Sequence, residues 1–67
     1  MYQRLEALEQ EAADQGILLD ETILKANTPL DGLYIAWGPQ EAIILLNGHR
    51  PLSIRVAALA EELGAPL

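Results

Sequence analysis

The residues of this chain that could do chemistry gather near its end. Glu61 and Glu62 stand side by side in Leu59-Ala60-Glu61-Glu62-Leu63-Gly64, and the single histidine, His49, lies in Asn47-Gly48-His49-Arg50-Pro51. There is no cysteine, hence no thiolate nucleophile, no disulfide and no sulfur ligand. A glutamate beside a metal-bound water can act as general base, and a glutamate can also ligate a metal. Adjacent helical positions do not face each other, so Glu61 and Glu62 form no carboxylate dyad by themselves. His49 has no carboxylate or second imidazole at a ligand spacing and reads as an exposed loop histidine. Negative charge at a helix C-terminus is unfavourable by ~0.3–1 kcal/mol per charge. The plainest reading of Glu61 and Glu62 is therefore a pair of solvated helix-end glutamates.

The element that must position them is a closing helix. Leu52, Val56, Leu59 and Leu63 share one helical face. Pro51 suits a first helical position, Gly64 is a stop signal, and Pro66 forbids continuation. A first helix is expected over residues 2 to about 15, with Leu5, Leu8 and Ala12 as its apolar stripe and Glu6, Glu9, Glu11 and Asp14 as a solvated acidic face. Gly16 ends it. Ile17-Leu18-Leu19 reads as a short strand, and Thr22–Lys25 is ambiguous between strand and turn. The stretch from Ala26 to Gly32 reads as a loop, with Thr28 held extended by Pro29 and a turn dipeptide at Asp31-Gly32. Leu33–Trp37 and Ala42–Leu46 read as a hairpin around Gly38-Pro39-Gln40.

The fold expected is α+β: a helix, a small antiparallel sheet made of the hairpin plus the short strand, then a helix. It forms one domain over residues 1–67. Alternation puts Leu33, Ile35 and Trp37 on one face of the sheet and Tyr34 and Ala36 on the other. Ala42, Ile44 and Leu46 face one way, Ile43 and Leu45 the other. Both faces of the sheet are thus apolar. Either the two helices cover opposite faces or something outside the chain covers the second.

Ten acidic residues against four basic ones give a net charge of −6. That excludes the basic surface of a nucleic-acid binder and disfavours anionic membrane. No apolar run approaches the ~18 residues of a membrane span, and Met1–Glu6 lacks a signal-peptide core, so a cytoplasmic protein is expected. A chain this short buries roughly 60% of its unfolded surface. With no disulfide, and with one histidine too few for a structural zinc site, oligomerisation is the remaining staple. A homodimer is expected, pairing a patch of Ile43, Leu45 and Tyr34.

Gly32-Leu33-Tyr34, an apolar hairpin strand ending in Asn47, and the helix closing on Leu59-Ala60-Glu61-Glu62-Leu63-Gly64 together resemble the ImmA/IrrE family of zinc metallopeptidases. The likeness spans nearly the whole chain, but only the N-terminal part of that domain, since family members continue into further helices. Such proteins are phage- and mobile-element-associated or stress-response regulators whose targets are repressor-type transcription factors. Their motif places two histidines one helical turn apart on zinc, with a glutamate as general base beside the first. The resemblance puts the catalytic glutamate on Glu62, the first histidine on Glu61 and the second on Ala65. The third ligand has no position before Leu67. A catalytic zinc takes three protein ligands, and Glu61 alone of these could serve.

What the resemblance implies is therefore a non-catalytic ImmA/IrrE-like protein, an interaction or regulatory module with a degenerate active site. It would need no cofactor and would bind itself or a regulator protein. Two alternatives stand beside it. One is the N-terminal piece of a longer zinc peptidase that cleaves repressors, with zinc bound once the motif is completed. The other is an unrelated small structural or adaptor domain.

Overall fold

The computed structural model describes residues 2–64. Helix α1 spans Tyr2–Asp14, strand β1 Ile17–Asp20, β2 Gly32–Gly38, β3 Glu41–Leu46 and helix α2 Leu52–Leu63. The α+β architecture, helix then sheet then helix, is the one the hydrophobic pattern leads to. Both helical stops are glycines with positive φ, Gly16 at +73° and Gly64 at +70°, a conformation that glycine adopts without steric cost. The Gly64 amide donates back to the carbonyls of Ala60 and Glu61. Pro51 sits at the cap of α2 rather than inside it, and its carbonyl accepts from Ile54 and Arg55.

The sheet differs from the all-antiparallel expectation in one respect. Its order is β1-β3-β2, with β3 in the centre, antiparallel to β2 but parallel to β1. The cause lies in residues 21–31. That connection is long enough to cross the end of the sheet, so β2 enters on the far side and the hairpin returns β3 between β2 and β1. The short strand does form, as a mixed-sheet edge. Thr22–Lys25, ambiguous from sequence, is not a strand: residues 22–24 form a bend, and the turn follows at residues 26–27. Asp20 ends β1 because its Oδ1 accepts from the Thr22 amide (2.7 Å), the Ile23 amide (2.9 Å) and the Thr22 hydroxyl (3.0 Å).

Both helices lie on the same face of this sheet. Leu8 of α1, Ala58, Leu59 and Ala60 of α2, and Ile44 and Leu46 of β3 form one buried cluster. Leu5, Ile17, Leu19, Val56 and Leu63 pack around it. The stripe expected on α2 is thus the buried one, with Leu59 at its centre and fully covered. The shortest principal extent is 17 Å, about one layer of helix on one layer of sheet. The possibility that the helices cover opposite faces is ruled out.

Candidate functional site

Glu61 and Glu62 occupy the last turn of α2. Glu61 is exposed and Glu62 half-buried. Both line a shallow groove of about 260 Å³ between the Pro29–Gly32 segment and α2, whose apolar wall includes Ile54 and Ala57. Asp31 also reaches this groove, but its Oδ1 accepts from Arg50 Nε at 2.7 Å. His49 is exposed and lies outside the groove. Its backbone amide donates to Asn47 Oδ1 at 3.0 Å. The groove therefore holds carboxylates without a nucleophile or an imidazole.

The donor set does not fit a zinc ion. Among the described residues no three histidine, cysteine, aspartate or glutamate side chains converge. The expected position of the second histidine, Ala65, lies outside the described residues, and an alanine offers no ligand atom. Glu61 would be a lone ligand, and Glu62 would have no metal-bound water to activate.

The sheet face turned away from the helices is different in kind. The register pairs Leu18 with Ile43 and Ile35 with Ile43, so these three form a row across all three strands. Leu18 is 61% exposed and Ile35 41%, while Ile43 is half-buried between them. Trp37, in the irregular step between Ala36 and Gly38 at the margin of the sheet, is 57% exposed. The row contains no charged side chain. The next row, Asp20–Leu45–Leu33, is mostly covered, and Leu45 is only 7% exposed.

This relocates the patch expected from sequence. Tyr34 pairs with Ile44 and therefore sits on the helix side of the sheet, and Leu45 is already buried. Ile43 remains, and Leu18, Ile35 and Trp37 take the places of the other two.

Just beyond β3 stands Asn47, whose role the spacing did not reveal. Its side chain is completely buried, and its Nδ2 donates to the carbonyls of Lys25 and Leu30, both at 3.1 Å. Arg50 adds donors to the Ala26 carbonyl (3.1 Å) and the Thr28 carbonyl (2.6 Å). Together they pin the 21–31 connection across the sheet end. The available signal was a loop rich in carbonyls without a strand to pair with, followed by an asparagine and an arginine.

No protein-family model matches the chain, and no curated protein or solved structure matches it.

Proposed function

We propose that this chain is a non-catalytic protein-interaction module, a regulatory relative of the ImmA/IrrE peptidases that works through contact and not through hydrolysis. The observation that carries this reading is the uncharged row Leu18–Ile43–Ile35, with Trp37 beside it, on a sheet face that neither helix covers. A contiguous apolar surface on a small domain marks an interaction site. The ancestral-type motif supports the family link through Gly32-Leu33-Tyr34 and Glu61-Glu62-Leu63-Gly64, and its degeneracy supports the loss of catalysis. In this reading Glu61 and Glu62 are a retained, metal-free remnant. A regulator protein, or the chain itself, is the partner class.

Two measurements test the proposal. Calorimetric titration of the full chain with zinc is expected to show no stoichiometric binding, and an unfolded protein substrate is expected to survive incubation with chain and zinc. A site of micromolar affinity or better would overturn the non-catalytic reading. The double variant Leu18→Gln, Ile35→Gln is expected to keep the far-ultraviolet circular dichroism of the wild type while losing binding of an anilinonaphthalene dye. Unfolding of that variant under dilute conditions would show that the row belongs to the core and is not a working surface.

A further inference from the structure

We infer that the outer edge of β2 takes an extended, basic segment of a partner protein as an added antiparallel strand, with a lysine or arginine of that segment seated in the groove beside α2. This rests on the reading of the chain as an interaction module. It places the contact at the sheet edge and not on the open face, so either surface can fail without the other.

The backbone is the first reason. β2 is an outer strand of the sheet. The Asn47 amide donates to the Asp31 carbonyl at 2.8 Å, and the register sets Gly32 opposite Leu46, so Asp31 stands opposite Asn47. In an antiparallel ladder such hydrogen-bonded pairs alternate with pairs that exchange no bonds. Leu33 and Ile35 therefore bond to β3, while Gly32, Tyr34 and Ala36 turn their N–H and C=O groups outward. Among the described residues no loop or helix backbone takes up those of Tyr34 or Ala36. Edge strands are ordinarily blunted by shortness, charge or proline. β1, the other edge, is four residues long and ends in Asp20. β2 is seven residues long and carries no charge and no proline. Only the irregular step after Ala36 interrupts it. Such an edge is a template for strand addition, in which main-chain bonds hold the guest and pockets beside the strand select its side chains.

The groove is the second reason. Gly32 opens β2 and lines the groove together with Ile54, Ala57, Glu61 and Glu62 of α2. It has no side chain to fill that space. A guest residue opposite Gly32 points to the same side of the sheet and brings its side chain alongside the groove. Ile54 and Ala57 offer an apolar wall to an aliphatic stem, and the two glutamates offer carboxylates to its head. Neither glutamate is held by an ion pair among the described residues, whereas Asp31 is tied to Arg50. Both stand in the last turn of α2, where the helix dipole is also negative. A cationic side chain answers all of these at once.

Charge decides between a foreign segment and a second copy. Two copies pairing β2 to β2 about Tyr34 would set Ala36 of each opposite Gly32 of the other. An alanine neither fills the groove nor answers its carboxylates, and two chains of net charge −6 repel. A basic segment is drawn in by the same charge.

Calorimetric titration of the full chain with a capped seven-residue peptide of alternating valine and lysine tests the inference, beside amide hydrogen exchange. The expected result is binding that weakens with salt and that protects the Tyr34 and Ala36 amides, which exchange freely in the chain alone. N-methylation of the lysine amides, which would face Gly32, Tyr34 and Ala36, should abolish binding, and N-methylation of the valine amides should not. Glu61→Gln with Glu62→Gln should weaken binding by about three- to tenfold. Glu9→Gln with Glu11→Gln, the same loss of charge on α1, should leave it within about twofold. Ala36→Pro removes an outward donor that the fold does not use, so it should keep the fold and lose the peptide; if it fails to fold, the methylated peptides carry the same test. Absence of binding at millimolar peptide overturns the inference, and dye binding that persists then leaves the open face standing. Binding that leaves the Tyr34 and Ala36 amides exchanging freely overturns it, as does equal binding of a peptide of alternating valine and glutamate. A dimer of the chain that Ala36→Pro dissociates and the peptide leaves intact gives the edge to a second copy and overturns it too.

Discussion

Removing the side-chain amide of Asn47 is the change that most sharply probes how the sheet end is built. In Asn47→Ala the Leu30 carbonyl loses its side-chain donor, the Lys25 carbonyl keeps only the Thr28 amide, and the His49 amide loses its acceptor. Asn47 is fully buried, so water does not replace these bonds without entering the structure. Each orphaned buried group costs ~1–3 kcal/mol, but truncation also opens room for a compensating water, so the net loss is set at about 2–4 kcal/mol. For a domain of this size ~1 kcal/mol shifts Tm by about 4–8 °C, so a fall of at least about 8 °C is expected. Asn47→Asp is expected to be no better. It keeps an acceptor for His49 but turns an anionic oxygen toward two carbonyls. The assay is thermal denaturation followed by far-ultraviolet circular dichroism, at a concentration where the chain is monomeric. Hydrogen exchange should show the earliest loss of protection at the Thr28 amide, which donates to the Lys25 carbonyl at 3.1 Å. An alanine variant that melts within a degree or two of wild type, with that amide still protected, would refute the view that Asn47 holds the connection.

Other perturbations separate the core, the turn and the crossing. Val56→Asp places a charge against the buried cluster and is expected to unfold the chain or prevent its accumulation, since an unpaired buried charge costs several kcal/mol and a small domain has about 3–5 to lose; a normal melting curve would contradict this. Leu59→Ala is expected to cost about 2–5 kcal/mol by chemical denaturation, because Leu59 is fully buried at the meeting of both helices and β3. Gly48→Ala would drive its methyl into the Glu21 carbonyl, so a lowered Tm and an altered Glu21 amide signal are expected. The Thr22 amide does most to hold the Asp20 carboxyl below its ordinary value of 3.8; burial opposes it, and the Thr22 hydroxyl and then the Ile23 amide lower it further. A depressed folded pKa contributes stability that is present above the unfolded value and lost as pH falls through the folded one. Asp20→Asn should therefore flatten the acid limb of the stability curve, melting below the wild type at neutral pH, where that contribution is present, and converging with it as pH falls well below 3.8, a point that melting across pH checks.

Much of the fold was legible because its signals are local. Helical spacing on Leu52, Val56, Leu59 and Leu63, stops at Gly16 and Gly64, and the hairpin around Gly38-Pro39-Gln40 all depend on near neighbours in sequence. That both faces of the sheet are apolar was legible too, from the unbroken run Ala42–Leu46. The direction of β1 was not. A four-residue strand with no adjoining turn carries no signal for parallel or antiparallel pairing, and the crossing of residues 21–31 decides it through Asn47 and Arg50. The patch was misplaced for a related reason. Alternation put Tyr34 on the opposite face from Ile35, but only the register to Ile44 says which of those faces the helices take. Of the site residues, Glu61 and Glu62 are together in one groove as their neighbouring positions imply, without the imidazoles that would give them chemistry.

Trp37 is the only tryptophan, and it stands at the margin of the proposed surface, 57% exposed in the single chain. Its fluorescence, followed during titration with an anilinonaphthalene dye, therefore reports on that surface without modification of the protein. The expected result is quenching of the Trp37 emission by energy transfer as the dye binds, lost in the Leu18→Gln, Ile35→Gln variant. Trp37 emission that the dye leaves unchanged, or quenches equally in the double variant, would contradict the claim that the open face of the sheet is the interaction surface.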